Sequence, residues 1–495
     1  MYYIGYDIGS SSVKVAIVDE KTKKSIAVVS EPKNEMVIKA GKFNWAEQDP
    51  NIWWDCICTA TKRILYENKI LSKDILAIGI SYQMHGLVIV DNKGQLLRDS
   101  IIWCDSRAVE IGNLAAKEIG ESKYGKQLLN SPGNFTASKL KWVKDNEEKL
   151  YEKVSNFMLP GDFIAYKLTG EINTTTNGIS EAILWDYKEK KVANWLLEFF
   201  DLDTSLTPSL VSNFQNQGFV TDVAAKATGL PIGIPIRYRA GDQPNNALSL
   251  NVLKPGEVAA TGGTSGVIFS VSDKIDSKEF SRLNHFAHVN YTPEQPRIGT
   301  LLCINGAGIF YSWLKKLTKI DDFTTMNNLA SKIEIGSNGL VNLPFGNGAE
   351  RMLNNQNLGA HLSDLNLNLH NDSHLCRATL EGIAFAFVYG MKIMNKDGLN
   401  TELIRAGNDN IFQSEVFTST FSSLIGRPVE IYNTTGAVGA ARASSLDVNS
   451  MEELSTSLGN NDKIKIIEPH IKNEEYKIAY DKWEKILNNK LNTNQ

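Results

Sequence analysis

The chain of 495 residues contains no apolar run long enough to cross a membrane. Its opening Met1-Tyr2-Tyr3-Ile4-Gly5-Tyr6 also lacks the basic segment, apolar core and small-residue cleavage site of an export leader. The expectation is a cytoplasmic protein with no membrane partner. Blocks of like charge are absent too: 52 basic and 56 acidic residues are spread along the chain, which leaves no footprint for nucleic acid. Only five cysteines occur, Cys56, Cys58, Cys104, Cys303 and Cys376, an odd number without Cys-x-x-Cys spacing. That pattern argues against a disulfide framework or a zinc site and for reduced packing residues. Familiar catalytic signatures are missing as well. There is no Gly-x-x-x-x-Gly-Lys-Ser/Thr loop, no Gly-x-Gly-x-x-Gly after a strand, no His-Arg-Asp loop, no zincin helix and no Gly-x-Ser-x-Gly elbow.

What the chain does have is length, and 42% hydrophobic residues to fill its cores. That size exceeds what one core usually serves, so two domains with a cleft between them are expected. Residues 2–6 read as a strand, 7–12 (Asp-Ile-Gly-Ser-Ser-Ser) as a polar turn and 13–18 as the returning strand. The pattern recurs at mid-chain, where residues 257–260 lead into Thr-Gly-Gly-Thr-Ser-Gly at 261–266 and out through 267–271. Between these hairpins, Asp49-Pro50 opens a helix that puts Trp53, Cys56, Ala60 and Ile64 on one face, and strands at 76–81 and 87–90 follow. Strand and helix alternate again after Pro255, with an almost uniformly apolar helix over 375–391. This is an α/β chain of duplicated design, with the boundary placed at 247 to 255.

Phosphoryl transfer to an alcohol needs a phosphate cradle, a carboxylate for the divalent metal, a base near the hydroxyl and closure against water. Two Gly/Ser/Thr tips facing each other offer the cradle through backbone N–H groups and hydroxyls. Asp7 offers one carboxylate and Asp242, in Ala240-Gly241-Asp242-Gln243-Pro244-Asn245-Asn246, offers the other. Gln243 and Asn246 can bond further hydroxyls. Plainer readings of the same residues stay open: two surface turns, a helix cap at Asp242, and a satisfied core histidine at His85.

Taken in order, several segments together resemble the FGGY family of carbohydrate kinases, and within it the xylulokinases. They are Tyr6-Asp7-Ile8-Gly9-Ser10-Ser11, Trp45-Ala46-Glu47-Gln48-Asp49-Pro50, Gln83-Met84-His85-Gly86, Trp103-Cys104-Asp105-Ser106-Arg107, Leu159-Pro160-Gly161-Asp162, Leu168-Thr169-Gly170, Gly241-Asp242, Gly263-Thr264-Ser265-Gly266 and Gly348-Ala349-Glu350-Arg351. Two longer family signatures are also present. One runs through Thr136, Lys139, Leu140 and Trp142, with Asn134 where a small or aromatic residue is usual; the other spans 360–381, with Asp364 in place of an expected glycine.

The resemblance implies two actin-like (ribonuclease H-like) α/β domains around a central cleft, residues 1–247 for the sugar and the phosphate side and 248–495 for the nucleotide. It implies ATP and Mg²⁺, with Asp242 as base and Asp7 as the carboxylate near the metal. Gln83, Met84, His85, Trp103, Asp242, Gln243 and Asn246 are the implied sugar contacts. Ser10, Ser11, Lys14, Gly263, Thr264, Gly306, Gly407 and Asn410 are the implied nucleotide contacts, although Asn408 and Asp409 interrupt the usual run of glycines. The implied reaction is phosphorylation of D-xylulose to D-xylulose 5-phosphate. Another acceptor (ribulose, a pentitol, gluconate or glycerol) is the alternative, and Gln243 after the base is a glycerol-kinase trait. A regulator that binds sugar and nucleotide without turnover has no need of both carboxylates. The partner is a small sugar; a homodimer is an option the sequence leaves open.

Overall fold

In the computed structural model, residues 1–446, 455–456, 462–471 and 473–493 are described. The described residues build two large mixed sheets beside several two-stranded ones. The first comprises β1 (Tyr2–Ile8), β2 (Val13–Asp19), β3 (Ser25–Glu31), β4 (Ile75–Tyr82) and β5 (Ile236–Gly241), in the order β5-β4-β1-β2-β3. The second contains β6 (Glu257–Gly262), β7 (Gly266–Ser272), β8 (Asn284–Ala287), β9 (Ile298–Ile304), β10 (Leu403–Gly407), β11 (Val429–Tyr432) and β12 (Lys463–Ile467), in the order β8-β9-β7-β6-β10-β11-β12.

Strand senses repeat between the halves. β1 runs antiparallel to β2 and parallel to β4, which is parallel to β5. Likewise β6 runs antiparallel to β7 and parallel to β10, which is parallel to β11. The duplication read from the two hairpins is therefore a duplication of five strands, with β8 and β12 added at the edges of the second sheet.

Side chains alternate across a strand, and here both faces are covered. On one face, Ile4, Tyr6, Ile8, Val13, Val15 and Ile17 share a core with Trp53, Ile57, Ala60 and Ile64 of helix α1 (Pro50–Glu67), which Asp49 caps and Pro50 opens. Fully burying one such side chain stabilises by roughly 1.5–3 kcal/mol. On the other face, Tyr3, Ala16, Val18 and Ala77 pack against Ala437, Val438 and Ala441 of a helix spanning Gly436–Ala443. This helix belongs to the second half of the chain but lies on the first sheet. A Cβ on Gly5 would collide with Ala437 O, and one on Gly79 with Ala440 O, so both contacts need glycine.

The apolar helix expected over 375–391 runs over Asp372–Lys396, is capped by Asn371 and is buried along most of its length. Two expectations need correction. Asp7 is the penultimate residue of β1, because the strand continues past Tyr6 to Ile8. Of the cysteines, all free, only Cys56 and Cys376 are buried; Cys58 and Cys303 are partly exposed and Cys104 is exposed on the turn after Trp103, so packing does not account for them all. Among the described residues no helix is long and apolar enough to cross a membrane.

Candidate active site

Three parallel strands deliver the first half of the site. In register, Asp7 lies beside Ser81, while Ile8 and Gly241 both lie beside Tyr82. Consequently β1, β4 and β5 end together, and Asp7, the turn 83–86 and Asp242 emerge at one edge, where ligands bind in open α/β sheets. Asp242 opens the helix Asp242–Ser249, where the positive end of the dipole favours a carboxylate. Its predecessor must be glycine: a Cβ on Gly241 would sit 2.6 Å from Met84 Cγ and 3.3 Å from Glu181 Oε2. The turn carrying Asp242 is thereby packed directly on the turn carrying His85.

The electrostatics follow from that crowding. Burial, and then the negative charge of Asp7, push the Asp242 carboxyl up to about 7, with the side-chain and backbone amides of Gln243 pulling it partway back. Asp7 accepts a hydrogen bond from Ser81 Oγ at 2.9 Å through Oδ1. Burial holds Glu181 well above the usual carboxylate range; the Tyr82 hydroxyl lowers it and the Asp242 charge raises it.

His85 stands at φ 61, in the left-handed region. Its backbone N–H donates to Glu181 Oε2 (3.2 Å), its Nδ1 lies 3.0 Å from the Glu181 carbonyl, and its own carbonyl accepts from Lys139 Nζ (2.8 Å). Lys139 also donates to Ile102 O at 3.1 Å, tying the His85 turn to the segment leading into Trp103. The ring sits against Phe135 and Phe286, at centroid distances of 4.8 and 5.2 Å. Burial first, and then the Lys139 ammonium, lower the imidazole to about 3, so it is neutral.

The other expected sugar contacts divide. Gln83 is turned inward: it is 2% exposed and its Nε2 lies 3.3 Å from Gln48 Oε1, beneath the turn. Met84 is buried against Gly241. Trp103 is 53% exposed, its Nε1 3.5 Å from Ser10 Oγ. Gln243 and Asn246 are half-buried beside Asp242, whereas Asn245, between them, is fully buried and donates to Gly436 O at 2.9 Å.

The second half supplies three converging segments. The tip between β6 and β7 holds Gly263, Thr264 and Ser265; Ile309 N donates to Thr264 O at 2.9 Å, and a Cβ on Gly308 would collide with Gly263 O. Glu350 accepts from Asn305 N (2.9 Å) and Gly306 N (2.7 Å), fixing that turn. Gly407 ends β10, and Asn410, at φ 46, stands beside Gly263. Lys14, exposed on β2, faces Asp409: burial raises the Asp409 carboxyl and the Lys14 ammonium lowers it. Ser10 and Ser11 lie on the opposing tip between β1 and β2. Cys303, on β9, looks toward the first half: burial lifts its thiol to about 11, Arg351 lowers it, and Glu350 and Asp242 raise it.

Metal and phosphates fit this geometry in one way. Among the described residues no three His, Cys, Asp or Glu side chains gather as a metal cage. A Mg²⁺ ion bound by one carboxylate together with phosphates and water is the mode that suits such a site, and Asp7, with Oδ1 held by Ser81, is the residue that fits it.

Sequence reasoning passed over Glu181, Ser81 and Gly436, and gave Lys139 no role in the site. A weak signal existed for Glu181, a lone charge inside the apolar stretch 179–184; Gly436 gave none, since its contact with Asp7 spans most of the chain.

Residues 2–249 match the FGGY family of carbohydrate kinases, N-terminal domain, and residues 258–446 match the C-terminal domain of the same family. The xylulose kinase of Staphylococcus xylosus is 28% identical over 97% of this chain and 100% of its own length. Among solved structures, a xylulose kinase from Rhodospirillum rubrum superposes with a TM-score of 0.85 at 25% identity, over 98% of both chains. Plasmodium falciparum glycerol kinase with ADP superposes with a TM-score of 0.88 at 21% identity, over 99% of this chain and 98% of that one, a likeness of fold.

Proposed function

Because the chain belongs to the FGGY family of carbohydrate kinases, an ATP-dependent class, we propose that it phosphorylates D-xylulose at its terminal C5 hydroxyl, in the cytoplasm. The observation that carries the reading is the pair Asp7 and Asp242 at one sheet edge, with Asp242 raised to about 7. A sugar hydroxyl is a poor nucleophile, and a carboxylate that takes its proton as the new O–P bond forms raises the rate by ~10²-fold or more. A base with a pKa near neutrality is ionised in good part and still holds the proton it receives. In this reading residues 1–247 bind and orient the sugar, and residues 248–495 hold the nucleotide.

Ser10, Ser11 and Lys14 from one tip and Gly263 and Thr264 from the other grip the phosphates, while Gly306, Gly407 and Asn410 line the adenosine side. Asp7 holds Mg²⁺, which when bound offsets charge on the phosphates. His85, Met84, Gln243, Asn246 and the Trp103 indole surround the sugar; Gln83 supports the turn from below. The xylulose assignment draws on the Gln83-Met84-His85-Gly86 turn and on relatives named xylulose kinase.

A second reading, glycerol or another polyol as acceptor, is favoured by Gln243 standing directly after the base. Steady-state rates on D-xylulose, D-ribulose, pentitols, gluconate and glycerol, read as ADP release, separate the two. D-Xylulose should lead in kcat/KM by ~10⁴-fold or more over acceptors lacking a bonded hydroxyl. A higher value for glycerol or gluconate overturns the xylulose assignment.

A further inference from the structure

Glu181 has no part in the transfer as derived above, yet its carboxylate is fully buried against the site. The charged form of such a group is costly to bury, and here burial holds Glu181 well above the usual carboxylate range, with the Tyr82 hydroxyl beside it. Such a group persists where something is gained, and what Glu181 touches identifies the gain. Its Oε2 accepts the His85 N–H at 3.2 Å and lies 3.3 Å from the position a Cβ on Gly241 would take. One side chain therefore bonds the His85 turn and packs against Gly241 of the Asp242 turn.

The brace also determines what His85 presents. A left-handed backbone is unfavourable for a residue with a Cβ, so the His85 turn needs support from its surroundings. Glu181 holds its N–H and Lys139 its carbonyl. The ring Nδ1 faces the Glu181 carbonyl at 3.0 Å, and a carbonyl oxygen only accepts, so Nδ1 carries the hydrogen. Nε2 is then a lone pair that accepts a hydrogen and cannot donate one.

We propose that Glu181 is a positioning residue for acceptor recognition, one that locks the His85 turn onto the Asp242 turn. His85 Nε2 and the Asp242 carboxylate are thereby held at a fixed spacing, and each accepts a hydrogen from a different hydroxyl of the same acceptor. The inference rests on reading the cleft as a site of phosphoryl transfer to a sugar. It narrows the acceptor to a polyhydroxy compound with a hydroxyl, not a carbonyl or a methylene, opposite His85.

The test compares wild type, Glu181→Gln and Glu181→Ala for KM and kcat with each acceptor, for KM of ATP and for melting temperature. Displacing bound groups by about an ångström costs ~10²-fold. Glu181→Ala should accordingly raise the sugar KM or lower kcat by at least ~10-fold, leave the ATP KM within about twofold and flatten the discrimination between acceptors that differ at one hydroxyl. Glu181→Gln, which keeps an oxygen facing the His85 N–H, should restore both. If Glu181→Ala fails to fold, Glu181→Met fills the same space without an acceptor and is read the same way. A folded variant lacking the acceptor, with unchanged sugar KM and unchanged acceptor ranking, overturns the inference alone, as does an ATP KM raised as much as that of the sugar. A wild-type protein that phosphorylates no hydroxyl compound overturns the functional reading and the inference together.

Discussion

Gly436 presses on Asp7: a Cβ on Gly436 would lie 2.6 Å from Asp7 Oδ2 and 2.9 Å from its Cγ. These two residues come from opposite ends of the sequence, and the contact joins the helix Gly436–Ala443 to the strand end that carries the proposed metal carboxylate. The helix is seated by Asn245, one turn into the helix that Asp242 opens, through its bond to Gly436 O. The proposed base and the proposed metal carboxylate are thus referenced to the same short helix.

Gly436→Ala is therefore expected to act on chemistry more than on folding. The new methyl group must displace the Asp7 carboxylate, because the opposing atoms on the helix side are backbone. Turnover should fall by ~10-fold or more, and the Mg²⁺ concentration for half-maximal rate should rise, while the sugar KM stays close to wild type. Unchanged Mg²⁺ dependence in a folded variant would show that Asp7 does not hold the metal.

The pH dependence follows from the two causes that raise Asp242, burial and the charge of Asp7. A base works only when ionised, so kcat/KM for the sugar should rise with pH through about 7 and level off above it. Asp242→Asn should lower kcat by ~10²–10⁴-fold and leave nucleotide affinity nearly intact. The sign for stability is opposite. A carboxyl raised on folding stabilises the folded state while protonated, and this contribution is lost as pH rises through the folded value. Asp242→Asn should hence melt higher than wild type at pH 8, with the gap closing toward pH 5. Equal melting temperatures at pH 8 would place Asp242 in a far more solvated setting than the one described.

Much of this was legible in the residues because it is local. The Asp49-Pro50 helix start, the two glycine-rich tips and the strand ending at the 83–86 turn are set by a few consecutive side chains and by alternation over one strand. Asp364 shows how a local rule survives a departure from pattern: standing where a glycine is expected, it adopts the left-handed φ of 61 that a glycine would supply, and Lys482 pairs with it at 2.7 Å. What was not legible is long-range. Gln83 is polar and follows a strand, which suits a ligand contact, but only the fold shows Gln48 waiting beneath it. The approach of Gly436 to Asp7 leaves no trace in nearby sequence, and the lone charge of Glu181 among apolar neighbours does not reveal that it lies against Gly241, since each contact joins segments that chain order keeps far apart.

Cys303 offers a reporter for the cleft that depends on no catalytic residue. Its thiol lies on β9 among Arg351, Glu350 and Asp242, partly exposed and pushed up to about 11, so little of it is thiolate at neutral pH. Cys104 is exposed on the turn after Trp103. A slow alkylating agent at pH 8, followed by peptide mass spectrometry, should label Cys104 well before Cys303. The charge of Asp242 reaches Cys303, so a sugar held against Asp242 should, at saturating D-xylulose, slow Cys303 labelling several-fold without touching Cys56 or Cys376, both buried in the cores. Protection by ATP alone, and none by the sugar, would move the acceptor away from β9 and break the geometry on which the transfer depends.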